Sequence, residues 1–153
     1  MQEFDFTVSQ EESKNKQRRL AKAYLSQAFR IDLRINSRIE QISSLRDLAT
    51  KATGVLTDMP VAHSGNSSRL EEVVGKIVDL EAEINDETDT LIELKREIMV
   101  KIKNVQRPEF QTVLEMRYLC FKSWEEISLS MNYSLNHLHR LHNAALEAFA
   151  KIM

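Results

Sequence analysis

Between Leu70 and Val105 the chain carries one seam: Leu70, Val73, Ile77, Leu80, Ile84, Glu87, Leu91, Leu94, Ile98, Lys101 and Val105. The spacings alternate by three and four. On a helix that turns every 3.6 residues, such a set lines one face. Only Glu87 and Lys101 are polar. The seam predicts a helix over about 69–105, roughly 55–60 Å long at 1.5 Å per residue. Ser68 is placed to cap it, with Glu71 three residues on completing a capping box.

A second stripe precedes it. Leu20, Tyr24, Ala28, Ile31, Ile35, Ile42, Leu45 and Ala49 fall at helical spacing, and Leu25, Ile39 and Leu48 widen the set. This predicts one continuous helix from about Lys14 to Ala52. Gly54, Pro60 and the polar run from His63 to Ser68 then break the pattern. Two helices of matched length, joined by a flexible connection of about fifteen residues, fold most economically as an antiparallel hairpin. Val74, Ile92, Met99 and Ile102 flank the second seam, so a further copy of the chain is expected to cover them. Glu87 has two readings: a polar device that sets register, or a drift of the seam that leaves it wet among Asn85, Asp86, Thr88, Asp89 and Thr90.

Composition removes several classes. With three Gly and two Pro in 153 residues, a turn-rich β-sandwich is excluded. One Cys leaves no internal disulfide framework and no multi-thiolate zinc site. Gly54, Gly65 and Gly75 cannot form a phosphate-cradling loop, and no carboxylate–histidine constellation is visible, so no enzyme and no cofactor is expected. The acidic start MQEFDFTVSQEES is unlike a signal peptide, and apolar runs are only a few residues long. No membrane association is expected, and the expected location is the cytoplasm. Residues 1–12 lack a period and read as a flexible arm, with Phe4 and Phe6 available for docking.

After Pro108 the pattern changes. Three short helices are predicted, at 109–120, 123–131 and 134–150. Phe110, Val113, Leu114 and Tyr118 mark the inner side of the first. Ser123 caps the second, with Glu126 at the box position, and Ile127 and Met131 point inward. Asn132 and Tyr133 make a tight turn, and Ser134 caps the last helix. Leu138, Leu141, Ala145 and Phe149 line its inner side. A short helix, a turn of about three or four residues and a longer helix make a helix-turn-helix.

The outer side of the last helix bears on function. Leu135, Asn136, His137, His139, Arg140, His142 and Asn143 occupy its first turns. Asn and Arg pair bidentately with adenine and guanine edges. Ser134 and the first-turn amides can receive a phosphate. No carboxylate occurs between Glu126 and Glu147, as a surface meeting phosphates requires. The net charge is −2, so any attraction to nucleic acid is local, and a single copy is expected to bind weakly. Histidine gains charge just below neutral pH, which predicts tighter binding at pH 6 than at pH 8.

Leu114-Glu115-Met116-Arg117-Tyr118-Leu119, the Ser123-Trp124-Glu125-Glu126-Ile127 cap, Tyr133-Ser134 and the run from Leu138 to Leu146 together resemble region 4 of sigma-70-type factors. They more closely resemble small phage and prophage proteins of Gram-positive bacteria that carry such a head after a long helical region. Asp32 to Ser37, Leu45 to Thr53 and Met59-Pro60 are similar to the same group. The resemblance implies a sigma-like DNA-binding head and a role in phage or prophage transcription, such as late-gene activation with the host RNA polymerase. Ser134, Asn136, His137 and Arg140 match positions that touch phosphate and base edges in that family. Leu135 stands where an arginine or another polar residue is usual.

The expected organisation is all-α. A flexible arm spans 1–12. A long, coiled-coil-like antiparallel hairpin serving oligomerisation spans 13–106, and a helix-turn-helix head spans 107–153. The expected DNA contacts are Ser134, Asn136, His137, His139, Arg140, His142 and Asn143. Double-stranded DNA, RNA polymerase and further copies of the chain are the expected partners. The competing expectation is a helical protein-interaction or virion-associated protein whose head does not bind DNA. Trp124 is expected to pack on the first helix of the head, Cys120 to be a buried or half-buried apolar residue, and Arg117 to brace the head through Glu125 or Glu126. Lys14, Lys16, Arg18, Arg19 and Lys22 form a basic cluster that is either a solvated face or a contact for a DNA backbone. Its position relative to the head is open in the sequence.

Overall fold

The computed structural model describes residues 2–55 and 63–153. Among them are six helices and no strand: α1 (Gln2–Leu25), α2 (Gln27–Val55), α3 (His63–Lys103), α4 (Pro108–Tyr118), α5 (Trp124–Met131) and α6 (Leu135–Ala150). The all-α expectation holds. Contacts divide the chain into two compact units, Ile31–Leu91 and Met1–Arg30 with Ile92–Met153. A boundary at residue 107 is therefore not where the contacts part. The head shares its unit with α1 and the end of α3.

In the unit Ile31–Leu91, α2 and α3 run antiparallel. Arg46 pairs with Glu81 at 3.2 Å, Arg38 with Glu83 at 2.7 Å, and Arg34 with Glu87 at 3.0 Å, so numbers rise on one helix as they fall on the other. Ile31, Ile35 and Ile42 are buried, and Val73, Ile77, Leu80 and Ile84 are half-buried opposite. Glu87 is not left wet by a drift of the seam. It sits in the seam with its side chain 20% exposed and is paired to both Arg34 and Arg38. The guanidinium stems extend the apolar seam while their heads take the carboxylate.

In the other unit, Ala21, Leu25 and Ala28 are buried, as are Ile98, Ile102 and Val105 of the descending segment. Lys101, the second polar seam residue, donates to the Tyr24 hydroxyl at 2.9 Å and to Glu97 at 3.0 Å, and the Tyr24 hydroxyl donates to Glu97 at 2.8 Å. Burial raises the Tyr24 pKa, while its hydroxyl lowers that of Glu97 and raises that of Lys101. Both polar interruptions of the seam are thus satisfied across the helix pair.

Several expectations are corrected. The predicted arm is helical from Gln2, because extending a nucleated helix adds one hydrogen bond per residue. Phe6 is 65% exposed. Likewise α3 begins at His63, so Ser68 lies inside a helix rather than capping one. The connection is shorter than fifteen residues, and Met59 and Pro60 lie outside the described residues. The first long helix is interrupted at Ser26, where Arg30 donates its guanidinium to the Ala23 carbonyl at 3.0 Å. A side chain entering the backbone ladder is an established cause of a bend. Leu20, Ile39 and Leu48 of the predicted stripe face solvent, whereas Ala21, Ala28, Ile35 and Ile42 are buried. Val74, Ile92 and Met99 are also exposed, whereas Ile102 is buried. Among the described residues, no helix is long and apolar enough to cross a membrane.

Candidate nucleic-acid interface

Local chemistry sets the three head helices. Pro108 occupies the first turn of α4, where its missing amide has no intrahelical role. Ser123 caps α5 by accepting from the Glu126 amide at 3.2 Å, and Glu126 returns by accepting from the Ser123 amide at 2.8 Å. This is the predicted capping box. α5 ends on Asn132, which is left-handed at φ 56°, a conformation Asn tolerates well. The Ser128 hydroxyl then donates to the Tyr133 carbonyl at 2.5 Å, fixing the turn. Ser134 caps α6 by accepting from the His137 amide at 3.2 Å. Three residues, Asn132 to Ser134, separate the two helices, as predicted.

The inner side of α6 is anchored by Leu138, Ala145 and Phe149, each fully buried, with Leu141 and Leu146 close behind. Val113, Leu114 and Ile127 face them, also fully buried. Burying side chains of this size contributes roughly 1.5–3 kcal/mol each. Ser134, Asn136, His137, His139, Arg140 and Asn143 all face solvent. Six of the seven expected contact residues therefore stand outward together. His137 lies edge-on to Tyr133, with ring centres 4.6 Å apart, and His139 edge-on to Trp124 at 5.1 Å.

His142 is the exception. It is 5% exposed, its ring 4.5 Å from that of Trp124 and 5.8 Å from that of Tyr118. Its Nε2 shares a 2.7 Å hydrogen bond with the Tyr118 hydroxyl. Position 142 is one turn from both Leu138 and Ala145, so it belongs to the inner stripe, and the expectation of a DNA contact there is overturned. Burial, aided by the charges of Lys22, Arg117 and His139, pushes its pKa down to about 3. Burial likewise pushes Tyr118 up to about 12. Both groups are neutral at physiological pH, and each supplies the other's hydrogen bond.

The supporting residues differ in detail from expectation. Arg117 braces the head, but through the Lys122 carbonyl at 2.9 Å and the face of Trp124 at 4.6 Å rather than through a carboxylate. Trp124 packs between α4 and α6, as expected. Cys120 is exposed, because it falls in the turn after α4. In that turn Phe121 is left-handed at φ 57°, unusual for a bulky residue. Its ring is held 5.5 Å from that of Phe29 and lies beneath Lys95 at 4.5 Å.

The basic cluster lies beside the head. Arg18 pairs with Glu147 of α6 at 2.5 Å, and Tyr24 stacks on Phe149 at 5.9 Å. An open groove between α1 and α6 is lined by Glu12, Asn15, Lys16, Arg18, Arg19 and Asn143. The sequence showed the cluster but carried no local signal of this neighbour, which is more than one hundred residues away along the chain.

No curated protein and no solved structure matches the chain. Residues 52–150, more than half of it, match a family described as "Protein of unknown function (DUF1492)". The match takes in the seam of α3 and all three head helices, and the chain belongs to the DUF1492 family.

Proposed function

We propose that the chain is a sequence-specific, DNA-binding regulator of transcription that reads the major groove with α6. The observation that carries this reading is the division of α6. Asn136, His137, His139, Arg140 and Asn143 are in solvent, while Leu138, Leu141 and His142 hold the helix to α4 and α5. Arg140 and Asn136 have the donor geometry for guanine and adenine edges. The cap at Ser134 presents the first-turn amides to a phosphate. The likeness to sigma region 4 and to small phage regulators extends the proposal to phage or prophage promoters, with the host RNA polymerase as partner. The head has few cations, so copies joined through the long helices are part of the proposal. Val74 and Val78, 51% and 56% exposed on α3, are candidates for that contact.

The test is selection of bound duplexes from a random-core library, followed by titration of wild type and Arg140→Ala. The variant is expected to lose roughly 1–3 kcal/mol of discrimination at one base position. Equal affinity for every duplex in both proteins refutes the assignment. A second reading, in which the head grips a protein, is favoured by Leu129 and Leu135, which are 84% and 41% exposed. Association with DNA that is flat in salt supports that alternative.

A further inference from the structure

We infer that α1 is part of the DNA-binding surface, with Lys16 and Arg19 clamping the phosphates at the edge of the groove that α6 enters. The inference rests on the reading of α6 given above and adds a second element to it. Asn136, Arg140 and Asn143 follow one another at four and three residues, so they form a single outward row on α6. The next member of that row is Glu147, and Arg18 of α1 is bonded to it through both Nε and Nη2, at 2.6 and 2.5 Å. The row of readers therefore runs directly onto α1.

Arg18 itself is occupied. Besides Glu147 it donates to Asn15 at 3.1 Å and lies 3.8 Å from Glu11. Its neighbours differ. Lys16 and Arg19 are exposed, line the groove beside Asn143, and among the described residues take part in no ion pair. Glu12 is the carboxylate on the same rim. The Arg18–Glu147 pair cancels the one acid that α6 presents there, leaving two free cations against one free carboxylate.

The dimensions agree. From Asn136 to Asn143 the reading row covers about 10 Å at 1.5 Å per residue. The major groove is about 12 Å wide. Cations placed beside the last reader stand where base edges give way to the sugar–phosphate wall. Contacts of that kind set orientation and affinity without reading sequence. They also answer the deficit of charge in the head, where Arg140 is the one cation in the recognition row.

The experiment uses the full chain, the duplex selected from the random-core library and a scrambled duplex of the same length. Affinities are measured between 50 and 200 mM salt for wild type, Lys16→Gln/Arg19→Gln, and a control losing two charges on α3, Arg96→Gln/Lys103→Gln. Each phosphate contact adds about 0.9 to the slope of log affinity against log salt. The α1 variant should lose about 1.8 from that slope. Over the fourfold salt range, wild type then weakens about tenfold more than the variant. Its preference for the selected over the scrambled duplex should stay as in wild type, and the α3 control should keep the wild-type slope. A wild-type slope in the α1 variant overturns the inference while leaving the reading of α6 in place. An equal loss in both double variants also overturns it, as an effect of net charge alone. Wild type that binds neither duplex overturns both.

Discussion

Lowering the pH from 7.5 to 5.0 should destabilise the unit containing the head by about 2 kcal/mol through His142 alone. Folding lowers the pKa of this group from 6.5 to about 3. An unfolded chain therefore takes up a proton near pH 6.5 that the folded head refuses until about pH 3. The stabilising contribution is complete above pH 6.5 and is lost progressively as the pH falls between those two values. At pH 5.0 the unfolded group lies 1.5 units below its own pKa, and at about 1.36 kcal/mol per unit this amounts to about 2 kcal/mol. For a chain of this length that is a fall in Tm of about 4–8 °C. The comparison is with His142→Gln, which cannot titrate but keeps a polar group for the Tyr118 hydroxyl. Carboxylates common to both proteins cancel in the difference. Trp124 is the only tryptophan in the chain and its ring is 4.5 Å from that of His142, so its fluorescence reports on the relevant unit. Thermal unfolding followed at Trp124 should give curves of Tm against pH that converge as the pH falls. Parallel curves from pH 7.5 to 5.0, or a His142 ring signal that titrates above pH 6, refute the argument that burial keeps this group neutral.

Two further substitutions examine the packing. Leu138→Ala removes a fully buried anchor of α6 and should cost about 2–5 kcal/mol in urea unfolding read at Trp124. A loss under about 1 kcal/mol would mean that α6 is not held by its inner stripe. In the hairpin, Glu87→Gln and Glu87→Leu both strip Arg34 and Arg38 of their shared carboxylate; Gln should cost about 1 kcal/mol, and Leu less, because it adds apolar area to the seam. Helicity measured against urea for both variants checks this, and the opposite ranking contradicts the placing of Glu87 in the seam.

What was legible in the chain was what depends on near neighbours. The seam from Leu70 to Val105 was readable because helical periodicity needs only three- and four-residue spacings, and each of its members is buried or half-buried in the structure. The caps at Ser123 and Ser134 were readable because a hydroxyl and an amide three residues on are brought together by the helix start itself. The outward row of Asn136, His137 and Arg140 followed from the inward row of Leu138 and Leu141 by the same geometry. Residue type misleads where position decides: His142 is polar by type but lies one turn from Leu138 and is buried, and Cys120 is apolar by type but falls in a turn and is exposed.

By itself, the amino-acid sequence determined the helical class, the apolar seam of α3 and the starts of the head helices, since these arise from interactions a few residues apart. Only the tertiary structure decided that Tyr118 and Trp124 enclose His142, that Arg34 and Arg38 satisfy Glu87, and that α1 lies along α6 through Arg18 and Glu147. Each of those depends on which surfaces meet when distant segments exclude water together. Periodicity records that a face is apolar without recording which other face covers it.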